Sequence, residues 1–359
     1  MSLSRKVAFV CDRFHGVAGG VERMATTIMN ELVERGWSVR LITLDESGAV
    51  PFYHLRDEIE WVCVGDSLSK LEKLKKTRSA IIEDLPDAVV GFQLYSFLLG
   101  FFSCLGSAVP VIAAERNSIN QYRVMGAAKS TYWKIVFALT LASRISVQDR
   151  SYVNLYPRWL RARIRVNPNP VWPVESSNSI EERLILNVGR LCPQKHQRFL
   201  IDSFALVAEE FPDWKLLIVG EGECREELEE RVVYHGIQDR VFLEGAQQDV
   251  SSYYSRSSVF AFPSLFEGFP NALGEAMAYG LPAVGLCFAH GVNSLIEDGE
   301  TGLLSGNCIR EFSEALGKLM ADESERRRMG RSGREAVKQF EPKAMFDLWE
   351  QLILEPIEA

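Results

Sequence analysis

The sequence has no two cysteines at the short spacing that zinc sites and redox motifs use. Its seven cysteines, an odd number, are Cys11, Cys63, Cys104, Cys192, Cys224, Cys287 and Cys308. Scattered thiols of this kind are typical of a reducing compartment, where cysteines stay free. We therefore expect neither a disulfide framework nor a cysteine-ligated metal.

Neither a leader peptide nor a transmembrane segment is expected from the sequence. A predicted strand begins at Lys6, which leaves no room for a signal peptide before it. Residues 88–114 carry no charged side chain, and the stretch is longer than the roughly 20 residues that span a bilayer. Gly106 and Pro110 interrupt it, and it divides more naturally into a strand, a helix and a second strand. We therefore expect a cytoplasmic protein that does not cross the membrane.

The chain as a whole has no excess of positive charge, because its formal net charge is −8. No nucleic-acid-binding motif is present either, so DNA and RNA are not expected partners. The charge is unevenly divided. Residues 1–170 hold 22 Lys and Arg against 16 Asp and Glu (+6), and residues 171–359 hold 18 against 32 (−14). This asymmetry predicts that the first half alone meets an anionic surface.

Basic residues of the first half gather in three segments. These are Lys70, Lys73, Lys75, Lys76 and Arg78; the segment Lys129 to Lys134; and Arg158, Arg161, Arg163 and Arg165. Aromatic residues accompany the last two segments, a combination that suits contact with anionic lipid. The alternative is that all three are ordinary solvated faces. Peripheral contact with the inner face of the cytoplasmic membrane is one expectation that the sequence leaves open.

Two carboxylates lie between a predicted strand and a predicted helix. Val259 to Phe262 is a short apolar run, and a helix is predicted from about Pro270 to Gly280. Glu267 lies in the loop and Glu275 on the helix, with seven residues between them. The N–H groups that begin a helix favour a phosphate, and Glu275 leans back toward that end. The segment therefore suits a ligand that combines phosphate with sugar hydroxyls.

The residues around both glutamates resemble the signature of retaining glycosyltransferase family 4, which has the GT-B fold. They read Pro-Ser-x-x-Glu-Gly-Phe, then Glu-Ala-Met-Ala-x-Gly-x-Pro. The resemblance implies that Glu275 binds the ribose of a sugar nucleotide and that Glu267 lies beside the donor sugar, in a catalytic role. It also implies that the segment between the two glutamates contacts the donor. The residues of this segment are Gly268, Phe269, Pro270, Asn271, Ala272 and Leu273.

Two cations follow the first predicted strand of the second half. After Leu184 to Val188 come Arg190 and Lys195, the latter at the start of a helix predicted to reach Phe211. Arg190 offers a planar fork of donors and Lys195 a mobile charge, which together suit a diphosphate. Both resemble the diphosphate-binding, catalytic Arg and Lys of the same family. Where many relatives have a glycine after the lysine, this chain has His196.

The first half contributes further candidate residues. Gly19 and Gly20 open a helix after the first strand, and their run resembles the family loop that faces the donor phosphates and the acceptor. The glycine spacing is not the dehydrogenase fingerprint, so a nicotinamide cofactor is not expected. Arg116 follows a strand predicted at Val109 to Ala113, at a position where many relatives carry histidine. Arg116 cannot act as a base near neutral pH, but it can donate hydrogen bonds to a phosphate or a sugar hydroxyl.

Strands and helices alternate along most of the chain, which predicts parallel sheets covered by helices. We expect an α/β protein of GT-B type, with two Rossmann-like domains facing each other across a cleft. Residues 1–168 would form the acceptor-side domain and residues 169–342 the domain that binds the nucleotide sugar. The resemblance implies that the C-terminal helix, 343–359, packs back on the first domain, and residues 165–183 are the candidate linker.

The resemblance implies a retaining, metal-independent glycosyltransferase of bacterial surface-polysaccharide type, with no cofactor. The expected donor is a UDP-linked hexose or N-acetylhexosamine, and the expected acceptor a glycan or a lipid-linked saccharide. No Asp-x-Asp metal pair lies beside Arg190 and Lys195, so these cations would stabilise the leaving diphosphate. Because a fold does not fix a function, a sugar-nucleotide epimerase, a glycan phosphorylase and a non-catalytic nucleotide-sugar-binding protein remain alternatives.

Overall fold

The computed structural model describes residues 5–17, 19–121, 126–175 and 182–358. The chain divides into two compact units. Unit 1 comprises Met1–Asn169 and Lys343–Ala359, and unit 2 comprises Pro170–Pro342. The boundary between the units therefore lies between residues 169 and 170, one residue after the boundary predicted between residues 168 and 169.

Unit 1 is built on a seven-stranded parallel sheet. The strand order is β3-β2-β1-β4-β5-β6-β7. The strands are β1 (Lys6–Val10), β2 (Ser38–Thr43), β3 (Glu60–Cys63), β4 (Ala88–Phe92), β5 (Val111–Ala114), β6 (Arg144–Val147) and β7 (Ile164–Val166). β4 and β5 are buried along their whole length, because helices cover both faces of a parallel sheet.

Helices on the two faces of this sheet form two separate apolar cores. In the described ranges 5–17, 19–121 and 126–175 these helices are α1 (Gly20–Glu34), α2 (Lys70–Asp84), α3 (Gln93–Ser103), α4 (Lys129–Leu139), α5 (Arg150–Val153) and α6 (Arg158–Arg161). One core receives side chains of α2, α3 and α4. The other receives side chains of α1 and of the C-terminal helix α13 (Pro342–Leu354), including Trp349. The C-terminal helix is therefore part of the core of unit 1.

Unit 2 has a six-stranded parallel sheet in the order β10-β9-β8-β11-β12-β13. Its strands are β8 (Leu184–Val188), β9 (Lys215–Val219), β10 (Val241–Gly245), β11 (Val259–Phe262), β12 (Ala283–Leu286) and β13 (Gly302–Ser305). Its helices in the described part are α7 (Gln197–Val207), α8 (Arg225–His235), α9 (Ser251–Arg256), α10 (Asn271–Ala278), α11 (Ile309–Ala321) and α12 (Glu323–Ala336). Short 3-10 turns at Pro193–Lys195 and Val337–Phe340 complete the unit.

Three local predictions need correction. The candidate linker 165–183 begins inside β7, whose short Ile164–Val166 run carries too little pattern to be recognised; its residues 176–181 lie outside the described ranges. The helix predicted from Lys195 starts only at Gln197, because His196 has left-handed backbone angles. Pro270 caps α10 rather than forming its first residue. None of the helices in the described ranges combines the length and hydrophobicity that crossing a bilayer requires.

Candidate active site at the carboxyl edge of unit 2

The order of the strands in unit 2 reverses between β8 and β11, which are neighbours in the sheet. Loops that leave the carboxyl ends of such strands diverge and open a crevice, the usual ligand site of an open α/β sheet. The loop after β8 carries Arg190 and Lys195, and the loop after β11 carries Glu267. The topology therefore brings the three predicted catalytic residues to one edge.

Lys195 and Glu267 form an ion pair in this crevice. The Lys195 Nζ atom lies 2.6 Å from Glu267 Oε1, and the two side chains are 19% and 8% exposed. The ammonium also lies 5.2 Å from the centroid of the Phe262 ring, within reach of a cation–π interaction. Because an ammonium has three donors, Lys195 can bind an anion while it contacts Glu267.

Hydrogen bonds hold the two loops together around this pair. Leu265 donates its N–H to the Gln194 carbonyl at 2.9 Å, and Gln194 Nε2 donates to the Phe266 carbonyl at 2.8 Å. Gln194 thus links the loops through both its backbone and its side chain. The positions of Lys195 and Glu267 are set by this link rather than by either loop alone.

His196 ends the 3-10 turn with φ 56° and ψ 34°. Glycine adopts these left-handed angles without a steric penalty, which explains why a glycine suits this position in relatives. In this chain the His196 ring stacks on Phe199 at 4.8 Å. Burial lowers the pKa of His196, so that the ring is neutral at pH 7 and adds no charge beside Lys195.

Arg190 is exposed on the same loop, and no described residue accepts a hydrogen bond from its guanidinium. Its backbone is nevertheless fixed, because Gln197 Nε2 donates to the Arg190 carbonyl at 3.0 Å. The adjoining Gly189 packs against the end of β9, where a Cβ on Gly220 would lie 2.0 Å from the Gly189 carbonyl oxygen. Arg190 therefore combines a constrained backbone with a side chain that can turn toward an anion.

Glu275, on α10, is held in place by Tyr254 of the helix α9. Tyr254 is 2% exposed and donates its hydroxyl hydrogen bond to Glu275 Oε2 at 3.0 Å. Its ring stacks on Tyr279 at 5.3 Å. The residue lies on the short helix α9, whose six residues carry too little pattern to reveal this contact. Tyr254 thus orients the carboxylate that is predicted to bind ribose.

The segment between the two glutamates is largely buried. Gly268, Phe269 and Pro270 have little exposed surface, whereas Asn271 and Ala272 are half-buried. Leu273 is fully buried in the core of the unit, and its N–H donates to the Pro270 carbonyl at 3.0 Å. The side chain and the N–H of Leu273 are therefore both engaged within the protein.

The glycines predicted to face the donor open α1 in unit 1. A Cβ on Gly19 would lie 1.9 Å from Glu22 Oε2, so a side chain at this position would require the Glu22 carboxylate to move. Asp45, after β2, accepts hydrogen bonds from the N–H groups of Phe14 at 2.8 Å and His15 at 3.1 Å. The loop that leads to Gly19 and Gly20 is thereby fixed to the carboxyl edge of the sheet in unit 1.

Arg116 lies in the core of unit 1 and is 5% exposed. Its guanidinium carbon lies 5.4 Å from the Phe92 ring and 5.7 Å from the Trp349 ring, and Nη2 donates to Asn169 Oδ1. Burial lowers the pKa of Arg116 to about 9, which leaves it cationic at neutral pH. The buried Nη1 has no hydrogen-bond partner among the described residues. The aromatic surroundings of Arg116 were not predicted from the sequence.

Comparison with known proteins agrees with this geometry. The family described as Glycosyl transferases group 1 matches residues 172–336. An uncharacterized glycosyltransferase of Haemophilus influenzae is 31% identical over 318 residues, which cover 85% of this chain and 88% of that protein. HepE of Anabaena, solved in complex with UDP, superimposes with a TM-score of 0.77 at 18% identity over 96% of this chain and 98% of that one.

A further relative has a name that states its reaction. It is an alpha-1,4-N-acetyl-D-galactosaminyltransferase of Campylobacter jejuni, 26% identical over 369 residues, which cover 98% of each chain. Its named acceptor is a saccharide linked through a diphosphate to undecaprenol. The two parallel-sheet units have the GT-B fold of solved glycosyltransferase structures. This chain belongs to the group 1 glycosyltransferases.

Proposed function

We propose that the protein is a retaining glycosyltransferase of family 4 that works without a metal ion. It transfers a hexose or an N-acetylhexosamine from a UDP-linked donor to a glycan or a lipid-linked saccharide, in the assembly of a surface polysaccharide or glycolipid. The observation that carries this proposal is the Lys195–Glu267 pair in the crevice, with Arg190 on the same loop.

Arg190 and Lys195 bind the diphosphate of the donor in this proposal. Lys195 is held in place by Glu267 before the reaction, and Arg190 turns its side chain toward the diphosphate, so both cations stabilise the negative charge that develops on the leaving group. The partial desolvation of Lys195 strengthens that interaction relative to bulk water. Glu267, at hydrogen-bond distance from Lys195, accepts a hydrogen bond from a hydroxyl of the donor sugar.

Glu275 binds the two ribose hydroxyls of the nucleotide. Its two oxygens can each accept one of these hydroxyl hydrogens, a bidentate arrangement that fixes the ribose. Tyr254 keeps the carboxylate in the required orientation through its own hydrogen bond at 3.0 Å. The donor is thus held at its phosphates by cations and at its ribose by an anion.

The transfer step retains the configuration at the anomeric carbon. The bond between that carbon and the diphosphate oxygen breaks, and the acceptor hydroxyl oxygen bonds to the same face of the sugar. The proton of the acceptor hydroxyl passes to the departing phosphate oxygen, so no further base is required. The residues of this chain hold the two substrates and stabilise the leaving group.

The acceptor approaches the basic first unit, which also makes peripheral contact with an anionic membrane. The name of the Campylobacter relative supports this part of the proposal, because its acceptor is carried on a lipid diphosphate. An acceptor of that kind lies at the membrane surface, where positive charge on the enzyme favours its approach.

The proposed function is tested with labelled sugar nucleotides and a membrane extract. We expect label from a UDP-linked hexose or N-acetylhexosamine to move into the lipid or glycan fraction. Epimerised sugar nucleotide without an acceptor would indicate an epimerase, and release of sugar phosphate would indicate a phosphorylase. A protein that binds UDP by calorimetry but never transfers label would be a nucleotide-sugar-binding protein, and the proposal would be wrong.

A further inference from the structure

Three helices on one side of unit 1 share an outer face. α2, α3 and α4 contribute to the same apolar core beneath them, and α3 packs against both of its neighbours. Side chains on these helices that point away from the core are therefore neighbours across one continuous surface. The composition of that surface is unusual for a face in contact with water.

α4 directs aromatic side chains away from the core. Trp133 and Phe137, one helical turn apart, are 58% and 77% exposed, and Leu141, one turn further on, is exposed as well. The core-facing residues Ile135 and Leu139 lie on the opposite side of the helix. α4 thus carries a stripe of large apolar side chains that no described residue covers.

The neighbouring helix α3 extends this apolar surface. Phe102 and Leu105, at its C-terminal end, are both about half exposed. Arg78 of α2 donates hydrogen bonds to the carbonyls of Ser103 at 2.8 Å and Leu105 at 2.7 Å. A guanidinium is therefore fixed beside the exposed apolar side chains at the end of α3.

Positive charge also borders the stripe on α4. Lys129 and Lys134 are exposed on either side of it, and Arg163 donates a hydrogen bond to the Thr140 carbonyl at 2.7 Å, beside the end of the helix. Between residues 88 and 148 the sequence has a single acidic residue, Glu115, and that residue is buried. α3 and α4 themselves therefore carry no acidic residue, and their outer face is apolar and bordered by cations.

We propose that this surface, which we call the α3–α4 face, docks on an anionic lipid bilayer. It consists of Phe102, Leu105, Trp133, Phe137 and Leu141, with Arg78, Lys129, Lys134 and Arg163 at its border. Aromatic side chains enter the interfacial region of a bilayer, and the bordering cations contact anionic headgroups. α3 has 11 residues and is about 16 Å long, too short for the roughly 30 Å hydrocarbon core, so it lies on the membrane.

The charge pattern favours lipid over a second copy of the chain. A symmetric dimer through the α3–α4 face would place like charges opposite one another, which is unfavourable. An anionic bilayer instead offers complementary charge to every bordering cation. The biological role of this docking rests on the proposed function, because docking places unit 1 where a lipid-linked acceptor is found. Vesicle binding itself requires no sugar donor.

The test is co-sedimentation of the full chain with phosphatidylcholine vesicles, with and without phosphatidylglycerol. We expect binding to the anionic vesicles that weakens at high salt. Lys129→Gln with Lys134→Gln should weaken it about 25-fold, since each cation near an anionic surface contributes about fivefold. Trp133→Ser with Phe137→Ser should weaken it at least about tenfold through lost apolar contact. The matched control, Leu206→Ser with Tyr234→Ser, changes residues equally exposed in unit 2 and should bind as the wild type does.

Several outcomes would overturn the inference. These are a wild type that ignores anionic vesicles, aromatic variants that bind as well as the control, and a wild-type dimer that the Trp133 and Phe137 changes convert to monomers. UDP binding by calorimetry, measured on every variant, shows whether the protein remains folded. Normal UDP binding without vesicle binding would refute the docking of the α3–α4 face on lipid, but it would not contradict the proposed donor chemistry.

Discussion

At the scale of single residues, the pairing of Lys195 with Glu267 explains how the crevice retains charges that water no longer solvates. Each charge would be costly to bury alone, and at 2.6 Å each compensates the other. A buried pair of this kind contributes little net stability compared with apolar residues of similar size. Its value therefore lies in keeping an ammonium and a carboxylate ready for the donor.

The first prediction concerns removal of the cation. Lys195→Ala removes the cation that compensates the buried Glu267 carboxylate, which should lower the free energy of unfolding by about 1–3 kcal/mol. Transfer should fall by roughly 100-fold or more, because the leaving group loses a fixed positive charge. Urea denaturation and steady-state kinetics measure the two effects.

The control for Lys195 is an exposed ion pair elsewhere in unit 2. Arg198→Ala breaks a pair with Glu227 whose side chains are both about half exposed. Such surface pairs contribute at most about 1 kcal/mol, so this variant should stay close to the wild type in stability and in transfer. Equal behaviour of the Lys195 and Arg198 variants would rule out the role given to Lys195.

The second prediction concerns orientation of the ribose-binding carboxylate. Tyr254→Phe removes the hydrogen bond to Glu275 but keeps the ring that stacks on Tyr279. We expect the dissociation constant for UDP to rise about tenfold, since a hydrogen bond to a charged group contributes about 1.5–3 kcal/mol. Calorimetry measures this change. Tyr132→Phe, which removes a hydroxyl bonded to the Leu155 carbonyl in unit 1, should leave UDP affinity unchanged; a matching loss there would argue against a specific role for Tyr254.

At the scale of elements, the ends of β8 and β9 determine the path of the cationic loop. Gly220 has φ 148° and lies against the Gly189 carbonyl, so the backbones at the two strand ends leave no room for a side chain at position 220. Further along the loop, the 3-10 turn and the left-handed His196 reverse the chain before α7 begins. The position of Arg190 and Lys195 thus depends on backbone packing at two points.

The third prediction tests that packing. In Gly220→Ala the new Cβ would lie 2.0 Å from the Gly189 carbonyl oxygen, so the cationic loop must shift. We expect Gly220→Ala to lower the free energy of unfolding by about 1–3 kcal/mol more than backbone strain alone would lower it. We also expect weaker UDP binding. Gly236→Ala is the matched control, since Gly236 also has positive φ but its Cβ would meet nothing within 4 Å. If both variants bind UDP equally well, Gly220 does not position the loop.

At the scale of the whole molecule, the stability of unit 1 depends on pH through the buried carboxyl group of Glu115. Burial raises the pKa of Glu115 from 4.5 to about 7. One of its oxygens is fully buried without a hydrogen-bond partner among the described residues. At neutral pH and above, the folded protein must therefore hold a poorly solvated carboxylate.

The fourth prediction follows from the sign of this shift. Below pH 4.5 the carboxyl is protonated in the folded and unfolded chain alike. Between that pH and about 7 the unfolded chain releases the proton while the folded chain retains it, so stability falls by about 3 kcal/mol. Glu115→Gln removes this dependence and should be more stable than the wild type at pH 8. Urea denaturation at several pH values measures the difference, and parallel pH profiles for both proteins would contradict the prediction.

Much of the fold follows from short patterns in the sequence. β8 and β11 have the predicted bounds because a short apolar run is a local property of the sequence. β3, β7, β12 and β13 carried no comparable local signal and were missed. The left-handed turn at His196 was also missed, because its backbone angles depend on the packing of the loop rather than on the preference of histidine.

The sequence by itself determined which residue types occupy the crevice. The ends of the strands and helices are recognisable from their residues, so the positions of Arg190, Lys195, Glu267 and Glu275 relative to these elements were predictable. Only the tertiary structure decided which of them meet. Lys195 contacts Glu267 across 72 residues of chain, Tyr254 reaches Glu275 from a separate helix, and Arg116 lies against Trp349 of the C-terminal helix. Periodicity fixes local conformation, whereas contacts between distant segments arise when parallel strands align their carboxyl ends and the helices pack over them.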